Sequence, residues 1–333
     1  MRQLFTILTA LNVAVVGTLW AAEPPVLTVM TYDSFVTQWG PGPQVEAAFE
    51  TTCKCDLQFV GAGDGAALLA RIRLEGKRSD ADIVLGLDTS LTAQARATGL
   101  FADHGLPEKD YDLPVPWSDP IFIPYDWGYF AFVYDNTKLT APPASFDDLI
   151  NAPKDLKIVI QDPRSSTPGL GLLLWVKSVY GDDAPGIWEA LSPRILTVTK
   201  GWSEAYGMFL AGEADMVLSY TTSPSYHLIA ENDATKAAAS FSDGHYMQIE
   251  VAAKLASSDQ PELADAFLDF MTSERFQSII PTTNWMYPVV MTDNIPDGFD
   301  TFGTPDKTLL FSDVQAASVR DEALSEWLAA LSR

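Results

Sequence analysis

From Phe122 to Leu139 the sequence reads FIPYDWGYFAFVYDNTKL, a long aromatic, extended run with no helical pattern before the next turn. It interrupts a regular rhythm. Upstream, LTVMTYDSF (27–35), CDLQFV (55–60) and ADIVLGLD (81–88) read as strands. Between them, PQVEAAFE (43–50) and AALLARIRLEG (66–76) carry apolar residues at helical spacing, with Asp64 placed to cap the second helix. Downstream the rhythm resumes. LKIVIQD (156–162), ILTVTK (195–200) and MVLSY (216–220) read as strands, and WSEAYGMFLAG (202–212) as a helix. A further helix is expected with Thr167 as N-cap, Pro168 as its first residue and Gly181 at its stop. Two runs of βα units predict an α/β protein with a largely parallel sheet. The helix-free strand between them predicts a chain that leaves one lobe and enters another.

A chain of 333 residues, 47% hydrophobic, is long enough for two such lobes and rules out disorder as the ground state. The opening MRQLFTILTALNVAVVGTLWAA has a basic start, a short uncharged apolar stretch and small residues at Ala21 and Ala22. It reads as a secretory signal peptide over 1–22; the alternative is an N-terminal membrane anchor. The net charge of −23 opposes binding to nucleic acid or anionic lipid and suits an exported protein. The two cysteines, Cys53 and Cys55, form either a small disulfide or two free thiols. A lone C-x-C with no histidine nearby makes no zinc site, and neither a metal nor a cofactor is expected.

In open α/β sheets, ligands bind beyond the carboxyl ends of the strands. Here those ends collect unusual residues: Tyr32 and Asp33, Asp64 and Gly65, Arg164 to Thr167, and Tyr220 to Ser223, with Trp202 after a further strand. GAGDGA (61–66) matches a dinucleotide fingerprint only weakly, and a helix amino terminus that caps or binds another ligand fits better. SSTPG (165–169) sets hydroxyls and free N–H groups at a helix start, as either an anion cradle or a plain cap. VLSYTTSPSY (217–226) ends an apolar strand in hydroxyls and two tyrosines, a combination suited to a small, flat, polar ligand. The three histidines are scattered, and neither G-x-S-x-G nor H-E-x-x-H occurs, so nothing points to catalysis.

Eight ordered blocks carry a specific likeness: TYDSF (31–35), WGPGP (39–43), LEGKRSDADIVLGLD (74–88), WGYFAFVYD (127–135), QDPRSSTPGLGLLLW (161–175), VTKGWSEAYG (198–207), LSYTTSPSYH (218–227) and NWMYP (284–288). Over nearly all of the chain from Val26 the sequence resembles the periplasmic thiamine-binding proteins of bacterial ABC importers. The resemblance implies a two-lobe type II periplasmic binding protein fold with hinge strands and an interlobe ligand cleft. It implies lobes of 23–125 plus about 246–292 and of 126–245 plus about 293–333. It implies a monomer that captures thiamine, with its mono- and diphosphate, and delivers it to an inner-membrane permease. Asp64 and Gly65 correspond to ligand contacts from the first lobe. Ser166 and Thr167 correspond to contacts at a helix amino terminus, and Trp202, Tyr220, Thr221, Thr222 and Ser223 to contacts from the second lobe. Tyr32, Tyr226 and Trp285 fit as aromatic walls. Asp33, Asp64 or Asp88 is expected to offset the cationic ring.

The same residues bear on three other functions. Thiaminase I resembles this fold but needs a cysteine nucleophile in the cleft, and the only cysteines here lie together in an early βα connection. Ferric-ion binders of this fold use a neighbouring tyrosine pair, and no Tyr-Tyr occurs. Polyamine binders combine acids with aromatic walls, which the acidic composition permits.

Overall fold

The computed structural model describes residues 23–332, so the signal peptide expected over 1–22 lies outside the described residues. The first βα units appear as β1 (Val26–Thr31), α1 (Gly42–Cys53), β2 (Asp56–Gly61), α2 (Gly65–Glu75), β3 (Ile83–Asp88) and α3 (Thr92–Ala97). β4 (Ile123–Asp135) is the long aromatic run. The second series follows: α4 (Phe146–Asn151), β5 (Ile158–Gln161), α5 (Thr167–Tyr180), α6 (Ala184–Leu191), β6 (Ile195–Thr199), α7 (Trp202–Leu210), β7 (Met216–Tyr220) and α8 (Ser223–Ala230). After the short β8 (Lys236–Ala238), β9 (His245–Lys254) runs back. The chain closes with α9 (Pro261–Met271), α10 (Glu274–Gln277), α11 (Ile280–Thr283), β10 (Tyr287–Pro288), β11 (Thr308–Leu309) and α12 (Asp313–Leu331). Cys53 and Cys55 are joined in a disulfide between α1 and β2.

Strand order is β2-β1-β3-β9-β4-β7-β5-β6. β1 pairs in parallel with β2 and β3, and β5 with β6 and β7. The middle differs from the largely parallel sheet expected, because β9 is antiparallel to both β3 and β4, and β4 is antiparallel to β7. The reason is connectivity. β4 and β9 carry the chain between the two halves without crossover helices, so they meet their neighbours head to tail. β4 pairs through Ile123–Tyr129 with β9, then through Phe130–Tyr134 with β7. One strand thus belongs to both halves. β7 is consequently an internal strand, and its hydroxyl-rich tail marks a strand end rather than a sheet edge.

Helices cover both faces of the parallel strands, which is why β3 is buried along its whole length. α5 is buried from Thr167 to Lys177 and has no solvent face over that stretch. Its Lys177 reaches Glu326 on α12 at 2.9 Å, tying the last helix to the second half. Gly171 sets how closely α5 approaches β4, because a Cβ there would strike the buried ring of Phe130. Helix propensity alone favours alanine over glycine by about 0.5–1 kcal/mol. Overpacking costs about 1–3 kcal/mol and wins. Gly171→Ala is therefore expected to lower the urea midpoint without changing the slope; a raised midpoint would show that α5 has room to spare.

Candidate functional site

The ends of β1 and β7, Glu250 of β9, the starts of α5, α7 and α8 and the α11–β10 connection line a cleft of about 530 Å³. Its floor is acidic. In the β4–β9 ladder Asp126 stands directly opposite Glu250, and in the β3–β9 ladder Asp88 stands opposite the same glutamate. Asp126 is fully buried and Glu250 nearly so. Tyr125 donates to Glu250 Oε2 at 2.9 Å, and Tyr32 lies 3.3 Å from the same oxygen. Asn284 donates to Asp126 Oδ2 at 2.6 Å and accepts from Tyr32 at 3.0 Å. Burial, then the charge of Glu250, pushes the Asp126 carboxyl well above its usual range. Burial also raises Glu250, against the hydrogen bonds it accepts. Asp88 is raised by burial first and by Glu250 second, to about 7. Burial holds Tyr32, Tyr125 and Tyr220 above the ordinary tyrosine range, so all three remain donors.

The walls are aromatic. Trp202 stacks on Tyr206 at 5.0 Å, and Tyr206 stacks on the buried His227 at 5.9 Å. His227 bonds Tyr206 through Nε2 at 2.9 Å and Glu231 through Nδ1 at 2.7 Å. Glu231 also accepts from Tyr226, which meets Trp285 edge-on at 5.4 Å. One histidine therefore fixes two tyrosines of the wall. Trp285 has φ of 57°, in the left-handed region where a bulky residue costs roughly 1–3 kcal/mol. Its backbone N–H returns to the Ile280 carbonyl at 3.1 Å, which holds the ring over the cleft. Trp202 donates its indole N–H to Ser219 at 2.8 Å, and Ser219 lies 2.7 Å from Ser223.

At one margin the two halves of the molecule touch. Asp64, before α2, accepts from Ser166 Oγ at 2.7 Å and from the Trp202 backbone N–H at 3.1 Å. Gly65 donates its N–H to Thr167 Oγ1 at 3.1 Å, and Ala67 N–H reaches the Ser165 carbonyl at 3.1 Å. Trp39 lies 6.3 Å from Trp202 across the opening. Burial raises the Asp64 carboxyl, while the Ser166 and Trp202 bonds oppose that rise.

Comparison with known proteins bears on what such a cleft serves. Residues 37–278 match the family model of the bacterial extracellular solute-binding proteins. The chain belongs to that family. It is 54% identical over 309 residues to the thiamine-binding periplasmic protein of Escherichia coli, covering 93% of this chain and 94% of that one. A solved periplasmic thiamin binding protein superposes with a TM-score of 0.92 at 54% identity, covering 94% and 98% of the two chains. Iron-bound HitA from Pseudomonas aeruginosa, at 20% identity and a TM-score of 0.73 over 92% and 99%, shares the fold. The architecture is thus the two-lobe type II periplasmic binding fold, and this member of the solute-binding family is a periplasmic, non-enzymatic binding component.

Within this solute-binding protein, Tyr32, Asp64, Thr167, Trp202, Tyr220, Ser223, Tyr226 and Trp285 line the cleft together. Gly65, Ser166, Thr221 and Thr222 stand outside the lining. Gly65 and Ser166 are taken up by bonds between the two halves. The Thr221 and Thr222 hydroxyls are buried with no partner among the described residues. Two expected helix starts differ. Ser166, not Thr167, is the N-cap of α5, and neither its hydroxyl nor the Asp64 carboxylate caps its own helix, because each is turned to the other. Of the acids expected to offset a ligand charge, Asp64 lines the cleft, whereas Asp33 holds the Gly63 N–H and Asp88 the Ser90 N–H. Sequence reasoning missed Glu250, Asn284, Tyr206 and Trp39, all in the lining. An acid inside the apolar run MQIEVAA was a readable signal for the first.

The Asp64 contacts hold the halves together across the opening. Charge-assisted hydrogen bonds contribute about 1.5–3 kcal/mol each before desolvation is charged against them. Asp64→Ala is expected to shift the ligand-free population toward a more open form by about tenfold. Small-angle scattering would then show a larger radius of gyration than for the unaltered protein. An unchanged radius would mean that other contacts set the closure.

Proposed function

We propose that this protein captures thiamine, together with its mono- and diphosphate, and as a monomer presents it to an ABC permease in the inner membrane. The observation that carries this reading is the pairing of stacked aromatic walls with a floor whose Asp126 and Glu250 carboxyls form no ion pair among the described residues. Thiamine is a flat heteroaromatic with a permanent positive charge, and such a site compensates that charge while covering both rings. Trp202, Tyr226 and Trp285 serve as the covering rings, Glu250 faces the charge, and Tyr32, Tyr220 and Asn284 supply polar contacts. The names and 54% identity of the relatives support the same ligand.

The phosphate esters rest on a separate feature. The amino termini of α5, α7 and α8 bring Thr167, Trp202 and Ser223 to the lining, and helix amino termini favour anions. Ser166 Oγ and the Trp202 N–H are held by Asp64, so a phosphate that used them would displace that carboxylate. Gly65, Thr221 and Thr222 act behind this layer. The lobes proposed are 23–125 plus about 246–292 and 126–245 plus about 293–333; the packing of α9 on β9 and of α12 on α5 and α6 supports them, while α12 also touches α3.

Calorimetric titration of stripped protein with thiamine, its monophosphate and its diphosphate tests this reading. One-to-one binding below micromolar is expected. Loss of a desolvated cation–π contact costs about 2 kcal/mol, so Trp202→Ala should weaken thiamine about thirtyfold. Competition by spermidine or ferric iron in place of thiamine would sink the assignment.

A further inference from the structure

Asp126 and Glu250 are direct neighbours across two hydrogen-bonded strands, both are buried, and neither forms an ion pair among the described residues. The Asp126 Oδ1 atom is buried with no hydrogen-bond partner among the described residues. A proton shared by the facing acids lets Asp126 donate to Glu250. Two facing, buried carboxylates cannot both carry charge at low cost, so one proton between them is the stable empty state. Glu250 meanwhile opens onto the cleft beside Tyr32 and Asn284.

We propose that this pair exchanges its proton for the ligand's positive charge: a cationic heteroaromatic ring entering the cleft converts the carboxyl–carboxylate pair into two carboxylates, and the released proton passes to water. The charge balances, since one positive charge enters as one leaves. This inference rests on the thiamine reading for its choice of probe, and the pair makes the site selective for a permanent cation over a neutral ring of equal shape.

The groups that face the pair are Tyr32 from β1, Asp88 from β3, Tyr125 from β4, Tyr220 from β7 and Asn284 before β10. The tyrosines and the amide donate hydrogen bonds and stay neutral. Asp88 and Asp64 are the competing acids: the charge of Asp88, which Arg320 partly offsets, opposes ionisation of Glu250, and Asp64 lines the cleft with its carboxyl raised by burial. The sign follows. Cation binding favours the ionised pair, so the complex holds the proton less tightly than the empty protein. Affinity therefore rises with pH between the carboxyl ranges of the complex and of the empty protein, by up to about tenfold per pH unit for one proton, and levels off above.

The test is thiamine titration from about pH 5 to about pH 8, in buffers of different ionisation heat, with unaltered protein and with Asp126→Asn. The asparagine amide replaces the shared proton as donor to Glu250. The expected result is release of up to about one proton per thiamine by the unaltered protein, a rising affinity, and loss of both in the variant. Buffer-independent heats and a flat pH profile with thiamine still bound would overturn the proposal and leave the ligand assignment standing. Full proton release by Asp126→Asn would also overturn it, since the proton would then come from elsewhere, Asp88 included. Absence of thiamine binding at every pH would overturn the ligand assignment, and the inference with it. The buffer series on unaltered protein decides the matter if the variant does not fold.

Discussion

The antiparallel ladder between β4 and β9 is the interaction on which the rest of the molecule depends. β4 and β9 are the long strands of the sheet, and their pairing fixes the position of one lobe's sheet against the other. The same register decides the chemistry. Because side chains alternate with a period of two, a slip of one residue would turn Glu250 away from Asp126 and the cleft. Tyr125, Asp126, Gln248 and Glu250 sit on these two strands, so the hinge and the floor of the site are one object. Gln277 adds to this by donating to the Tyr125 carbonyl at 3.0 Å, which pins the segment before β10 to the start of β4.

Placing acids on that ladder costs stability in the empty protein. A buried carboxylate without a cation is expensive, and the protein lowers the cost with neutral donors. Tyr32, Tyr125 and Asn284 surround the pair, and burial keeps the phenols protonated. Donors of this kind stabilise one negative charge without cancelling it. A lysine or arginine in their place would satisfy the acids and repel a cationic ligand. The arrangement therefore keeps a charge in reserve for what enters the cleft, at some expense in the stability of the empty state.

Much of the fold was legible. The βα rhythm, the helix-free run of β4 and the apolar strands are local patterns, and periodicity reports them directly. The antiparallel middle of the sheet was not, because strand direction depends on how connections pack in three dimensions. In the site, Trp202, Tyr220, Tyr226 and Trp285 stood out as aromatic rings at strand ends or among prolines. Glu250 is visible only as an acid inside an apolar run, and its meaning depends on Asp126 lying beside it, which strand pairing decides. His227 was dismissed as a scattered histidine, and its role in fixing Tyr206 and Tyr226 emerges only from contacts across α7 and α8. Asp64 was recognised, yet its partners lie 102 and 138 residues away, beyond any local reading.

Those distant partners put lobe contact on atoms that the proposed ligand contacts would also use. In the structure Ser166 Oγ and the Trp202 N–H serve Asp64, and Thr167 Oγ1 serves the Gly65 N–H. A ligand with an anionic tail would compete for the first two, whereas a ligand ending in a hydroxyl leaves them in place. In the proposed binding mode the acid pair at the floor faces the ring and is indifferent to the tail. On the proposed reading the cleft divides recognition between a cation site on the hinge strands and a margin where helix amino termini from both lobes meet. Charge on the ring would then drive binding at the first. Competition with Asp64 makes the second sensitive to how the two lobes close.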